Sequence, residues 1–373
     1  MKNPTKSLVE FAKRENVLVI SAFAAIISIF FVPPSISYIS YIDFRVLAIL
    51  FCLMVVIKGF NSIGFFDVMS ISLLKRIKGT RMLCYSLILL CFFLSMWITN
   101  DVALLTLVPF TILVLTMTKL EHLMIFAIVM ETIGANLGSM LTPVGNPQNL
   151  YLYTYYRLSA STFFFITIPI VITSFIILTV PIFFVKNNKI TLVFAESPSI
   201  KDKKKLWVYI ALFLISIGCV FHLIPYQITI AIILIVFLFL DKELLLKIDY
   251  SLLLTFVCFF IFVGNVGQID VITNKMKEFI EGKVFLTSIV LSQGISNVPA
   301  AILLSTFTDD YKNLILGTNI GGLGTMIASL ASLISYKLYV KTTDKNTKKY
   351  LITFTLLNLL SLSILILVYK IFY

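Results

Sequence analysis

Stretches of uninterrupted apolar residues recur along the whole chain, at about 17–32, 44–59, 82–97, 102–118, 161–185, 206–224, 226–240, 250–263 and 350–369 among others. Runs of this kind approach the roughly 20 residues that a helix needs to cross the hydrocarbon of a bilayer. A chain inside lipid has to pair its own N–H and C=O groups, and these runs are too continuous for the alternating pattern of barrel strands. Apolar residues make up 59% of the 373, against roughly 45–50% in soluble domains. With a mean hydropathy of +1.02 and only 13% charged residues, an ordinary soluble fold is excluded. The sequence predicts an all-α polytopic membrane protein with at most about 11 spans and no separate soluble domain.

Where the charges sit decides how the net +12 is read. The basic residues fall between the apolar runs, and 22 of the 30 Lys and Arg group at residues 2–14, 75–81, 119, 186–205, 242–247 and 337–349. Short cytoplasmic loops carry such an excess, so the expected topology is a multi-pass protein of the cytoplasmic membrane with its N-terminus inside and its C-terminus outside. The charge is a topology signal and not a nucleic-acid surface. Lys201, Lys203, Lys204 and Lys205 read the same way, with anionic-lipid contact as the lesser alternative. The run from Val17 to Val32 ends in Pro33-Pro34 without a small-residue cleavage pattern, which reads as a first membrane helix and not a removed signal. All five cysteines lie in apolar runs without a CxxC pair and are expected as buried thiols.

Several apolar runs are too short to span. The runs 82–97 and 102–118 pair as one re-entrant hairpin (82–118), and 284–295 with 298–307 as another (284–308), with tips at Thr99-Asn100-Asp101 and Ser296-Asn297-Val298-Pro299. Each is followed by a glycine-interrupted stretch, so broken helices are expected over 120–156 and 311–340. The segment ANLGSMLTPVGNPQNL from Ala135 lies over TNIGGLGTMIASLASL from Thr318, matching Asn136 to Asn319 and Thr142 to Thr325, and Ile42-Asp43-Phe44 matches Ile248-Asp249-Tyr250. Since the charge count gives the halves opposite orientation, the expected architecture is an inverted-repeat bundle. Residues 1–185 form the first repeat, 186–205 a basic cytoplasmic linker and 206–373 the second repeat. Broken helices expose unpaired N–H groups at one half-helix start and unpaired C=O groups at the other half-helix end. Secondary transporters use such ends at mid-depth for anions and coupling ions.

At these residues the sequence resembles the ion-transporter superfamily that includes citrate and divalent-anion permeases, arsenite permeases and one group of sodium/proton antiporters. The resemblance rests on TNDVALLTLVP from Thr99, NLGSMLTPVGNPQN from Asn136, SNVPAAILL from Ser296 and NIGGLGTMIASLAS from Asn319, and covers most of the chain. In the divalent-anion branch each hairpin tip and its facing helix break form one sodium site, with the substrate between them. The resemblance therefore implies a first ion site of Thr99, Asn100, Thr142, Pro143, Gly145 and Asn146, and a second of Ser296, Asn297, Thr325 and Ser329. The matched amides Asn136 and Asn319 join the expected ion ligands, and Asn100, Asn146, Gln148, Asn297 and Thr325 are the expected substrate contacts. The first tip reads Thr-Asn-Asp, closer to arsenite permeases, and the second has Val298-Pro299, which leaves substrate, ion and direction open.

Two carboxylates fall inside membrane runs, Asp101 and Glu131. An intramembrane acid is expensive without a partner and is a functional candidate by default. Asp101 is expected to bind an ion or proton, with helix capping as the bland alternative; Glu131 divides evenly between a functional role and pairing near a helix end. Asn146, Gln148 and Asn149 are expected to line a cavity, and His122 and His222 to sit at the interface. The expected function is secondary transport of a small anion of the citrate or dicarboxylate class, coupled to Na⁺ or H⁺. Efflux of arsenite or sodium/proton antiport are the alternatives on the same scaffold. A membrane enzyme would need clustered acids or histidines, and Asp309-Asp310 has no histidine beside it. No catalytic residue and no cofactor beyond the coupling ion are expected; the partners are the solute, the ion and the bilayer, with a homodimer left open and nucleic acid not among them.

Overall fold

The computed structural model describes residues 15–373 except Arg76, residues 191–198 and Asp344. Lys2, Lys6, Lys13, Arg14 and Arg76, which count toward the expected topology, lie outside the described residues. In chain order the helices are α1 (Asn16–Ile29), α2 (Ser37–Tyr41), α3 (Phe44–Ser62), α4 (Phe65–Leu74), α5 (Thr80–Ile98), α6 (Asn100–Met117), α7 (Met124–Gly138), α8 (Pro147–Tyr155) and α9 (Ala160–Thr179). They continue as α10 (Lys203–Val220), α11 (Tyr226–Leu240), α12 (Lys242–Leu245), α13 (Tyr250–Gly267), α14 (Asp270–Ile280), α15 (Val284–Ile295), α16 (Asn297–Ser305), α17 (Tyr311–Ile320), α18 (Leu330–Tyr339) and α19 (Thr347–Phe372). Six of the described helices are long and apolar enough to cross a membrane, the segments beginning at Phe44, Thr80, Asn100, Ala160, Tyr250 and Thr347. This is a multi-span helical membrane protein.

Helix starts follow from short polar side chains that satisfy orphan N–H groups. Asp43 accepts from the Val46 N–H and Asp249 from the Leu252 N–H, so the two aspartates matched in sequence cap matched helices, α3 and α13. Ser159, Asp310 and Asn346 do the same for α9, α17 and α19. Asp202 caps α10, and the Lys205 and Lys204 backbone N–H groups that it accepts hold its carboxyl below the ordinary range.

Contacts along the helices fix their directions. A Cβ on Gly134 would meet the Ile88 carbonyl, and one on Gly138 the Phe92 carbonyl and Ser95, so α5 and α7 run parallel in close contact. Thr111 bonds Glu131 while Asn100 bonds Asn136, so α6 and α7 run antiparallel. The arms α5 and α6 are therefore an antiparallel hairpin, and its tip at Thr99 is level with the break after Gly138. The second half repeats the pattern, with Gly317 against Phe285 and Ser288, and Gly321 against Ser292. Small residues at these crossings let backbones approach within packing distance.

The breaks lie later than the glycines suggest. Helices α7 and α17 run on through Gly134 and Gly317 to Gly138 and Ile320; these glycines serve helix contact, and the chain leaves helical geometry only over 139–146 and 321–329. Two helices with no counterpart in the expected runs, α4 and α14, connect α3 and α13 to the hairpins.

The two ends of the bundle differ. At one, Lys201 N–H donates to Ile63 O and Lys205 pairs with Asp241 at 2.9 Å, and Arg81 donates to the Val185 and Phe183 carbonyls. At the other, Arg45 bonds His222, which stacks on Tyr153, and Tyr156 donates to the Thr308 carbonyl. His222 is thus a structural fastener and more than an interface bystander.

Candidate functional site

Each hairpin tip is one residue in backbone geometry that glycine normally occupies. Thr99 has φ 70° and ψ 148°, Ser296 φ 74° and ψ 155°. Such conformations in non-glycine residues cost about 1–3 kcal/mol and persist only where the surroundings enforce them. Here the enforcing contact is the facing break: Asn100 N–H donates to Gly145 O and Asn297 N–H to Ala328 O, both at 3.0 Å. The first N–H of α6 and of α16, orphaned by helix geometry, is satisfied by an interrupted helix at the same depth.

The amides of the breaks then join the halves. Asn136 Oδ1 accepts from Asn100 Nδ2 and from Ser329 Oγ, each at 3.0 Å. Asn319 Oδ1 accepts from Asn146 Nδ2 at 3.0 Å, while its own Nδ2 donates to Asn149 Oδ1 at 2.6 Å. Because 136 matches 319 and 146 matches 329, the bonds Asn136–Ser329 and Asn146–Asn319 are the same contact made twice in opposite senses. Asn100, Asn136, Asn146, Gln148, Asn297, Asn319, Ser296 and Ser329 are all buried. Buried amides and hydroxyls require partners; Asn136 Nδ2 has none.

The hydroxyls of Thr142 and Thr325 hold each break to its hairpin, donating to Met96 O at 2.5 Å and to Gln293 O at 2.9 Å. The carbonyls of the first break are met from its own following helix, since Asn149 Nδ2 lies 3.2–3.3 Å from the Ser139, Met140 and Thr142 oxygens. In the second break Gln293, on the hairpin arm α15, donates to Gly321 O and Leu323 O and accepts from the Thr325 N–H. Gln293 went unread in the sequence, because a lone glutamine in an apolar run carries no spacing signal.

A cavity of about 490 Å³ opens beside this junction, at the bundle end bearing Lys58, Asn61, Lys247 and Lys337. Of the expected site residues, Thr99, Asp101 and Asn146 line it. Asp101 Oδ1 and Thr106 Oγ1 are buried there without partners, and Asp101 accepts no backbone N–H as a cap would. Asn100, Asn136, Thr142, Gly145, Ser296, Asn297, Asn319 and Ser329 form the packed wall behind it, with Pro143 in the first break. Thr325 is exposed and tied to Gln293. Gln148 is buried off the cavity, and Asn149 serves the broken backbone. Glu131 sits in mid-helix, fully buried and bonded by Thr111, not near a helix end. Among the described residues no group of three or more His, Cys, Asp or Glu could hold a metal. The donor set is neutral amide and hydroxyl oxygen with one carboxylate, suited to a hard cation or an anion's hydrogen bonds.

The chain is similar to known proteins. An uncharacterized transporter of Methanocaldococcus jannaschii is 35% identical over 303 residues, covering 80% of this chain and 81% of that one. The inner membrane protein YbiR of Escherichia coli is 30% identical over 317 residues, 83% and 84% of the two chains. The mouse P protein is 27% identical over 152 residues, 40% of this chain and 18% of that one. The family described as Citrate transporter matches residues 8–310, a span that includes both hairpins and the first break. The chain is therefore a membrane transporter, and it belongs to the citrate transporter family.

Proposed function

We propose that the chain is a secondary active transporter of a small anion, of the citrate or dicarboxylate class, coupled to Na⁺ or H⁺ by alternating access. In this reading residues 1–185 and 206–373 are inverted repeats joined by the linker 186–205, the hairpins re-enter from opposite faces, and the lysine-rich end is cytoplasmic. One observation carries it: the reciprocal bonds Asn136–Ser329 and Asn146–Asn319 join two hairpin-and-break units where a cavity reaches them from the lysine-bearing end. A junction of this kind can exchange one open side for the other by moving one unit against its partner. The cavity then belongs to the state open toward the lysine-rich end. Thr99, Asp101 and Asn146 are the residues that solute and ion meet first, and Asn100, Asn136, Ser296, Asn297, Asn319 and Ser329 become ligands as the units separate. No Lys or Arg lies at the tips, so a bound cation and amide donors hold the anion, which links its binding to that of the cation.

Flux into proteoliposomes tests this. Labelled citrate, succinate and malate are offered under an inward Na⁺ gradient, an inward H⁺ gradient or neither. Accumulation above the equilibrium level under one gradient supports the reading, and uptake indifferent to both gradients, or stopping at equilibration, overturns it. Sodium/proton antiport is the second reading, supported by the unpartnered Asp101 oxygen on the cavity wall; Na⁺-driven alkalinisation inside vesicles without any carboxylate would select it.

A further inference from the structure

Away from the cavity, a second polar cluster lies inside the bundle where α7 meets the hairpin arm α6 and, from the other half, α18 and α19. Its centre is Glu131, with no accessible surface. Thr111 of α6 bonds one carboxyl oxygen, while Oε2 has no partner. Next along the helix, Thr132 donates to Ser335 of α18 at 2.8 Å, a contact between the halves. Tyr350 of α19, also fully buried, stands beside Thr132 with its hydroxyl unpartnered, and its ring stacks on Tyr339 of α18 at 4.7 Å. The titratable groups facing Glu131 are Cys84 and Cys91 of α5 and Tyr350. Helix α9 has no titratable residue, and α17 has only Tyr311 and Lys312 at its start. On α18, Lys337 lines the cavity, while Glu121 and His122 precede Glu131 by nine residues or more. Lys348 and Lys349 are exposed at the start of α19. Glu131 has no ion-pair partner among the described residues.

An ionised carboxylate with one hydroxyl partner and no counter-charge is strongly disfavoured in such a site, whereas the neutral acid needs only hydrogen bonds. Water could reach it only if helices packed on α7 drew away from it. We propose that Glu131 is a proton-binding site separate from the cavity: its carboxyl stays a neutral acid while these helices are packed, and its O–H bond breaks, passing the proton to water, when they part. This rests on the transporter reading and names the carrier of H⁺ coupling within it.

Infrared spectroscopy of the purified protein at neutral pH tests the site without any solute. The C=O stretch of a protonated carboxylic acid is expected in the wild type and in Asp101→Asn, and absent in Glu131→Gln. Because Glu131→Gln could fail to fold, wild-type protein carrying ¹³C-carboxyl glutamate provides a second arm. The band should move with labelled glutamate and not with labelled aspartate. Melting temperature supplies a further readout: a fold that must keep a proton loses stability as pH rises, so wild type should decline toward alkaline pH and Glu131→Gln should not. Absence of the band from wild type, its loss in Asp101→Asn, or equal alkaline declines would overturn the proposal. Failed carboxylate uptake would leave these readouts unmoved, so the two readings fail separately.

Discussion

Asn136 accepts two hydrogen bonds, one from its own hairpin and one from the opposite half, so single side chains at this junction act on both units. Asn100→Ala removes the Asn136 contact and the Asn100 oxygen that accepts the Asp101 N–H. A buried hydrogen bond is worth about 1 kcal/mol net, more where a partner is stranded. Asn100→Ala and Asn297→Ala should each lower vesicle transport on the order of tenfold, about 1.4 kcal/mol, with expression retained; wild-type ion dependence in both would remove the tips from the ion sites. Asp101→Asn should alter the Na⁺ or pH dependence of transport, measured as initial rate against each ion. An unchanged profile would return Asp101 to a structural role. Thr99→Gly should relieve backbone strain of about 1–3 kcal/mol and raise the melting temperature while depressing transport, because the tip is then free to leave its geometry.

The hairpins and interrupted helices are the elements the sequence makes readable. Polar tips such as Thr99-Asn100-Asp101 stand out between apolar runs, and the structure returns hairpin arms at 80–98 and 100–117, and at 284–295 and 297–305. Two things were hidden. Glycine reports only that a side chain is missing, so Gly134 and Gly317, which serve close packing, read the same as residues inside a break. Helices α4 and α14 mix polar with apolar residues and are short, so no long apolar run announces them. The packing role is testable: Gly138→Ala drives a Cβ into the Phe92 carbonyl, while Gly294→Ala on α15 meets nothing within 4 Å. The first should destabilise by about 1–3 kcal/mol and the second stabilise by roughly 0.5–1 kcal/mol, read from thermal melts in detergent.

At the scale of the whole molecule, the cavity is the feature composition could not reveal, since it depends on how α1, α3, α6, α13 and α18 converge. Lys58 lies within α3 on the cavity wall. In a background without native cysteines, Lys58→Cys should react with a membrane-impermeant maleimide in inside-out vesicles and resist it in right-side-out cells; the reverse pattern would invert the orientation proposed here. The two units also differ in how their unwound strands are kept intact. The first carries its own amide, Asn149, whereas the second borrows Gln293 from its hairpin. A hairpin slipping past its strand would bare the Gly145 oxygen in the first unit but the Ala328, Gly321 and Leu323 oxygens in the second, so the second hairpin is lashed to its strand the more firmly of the two.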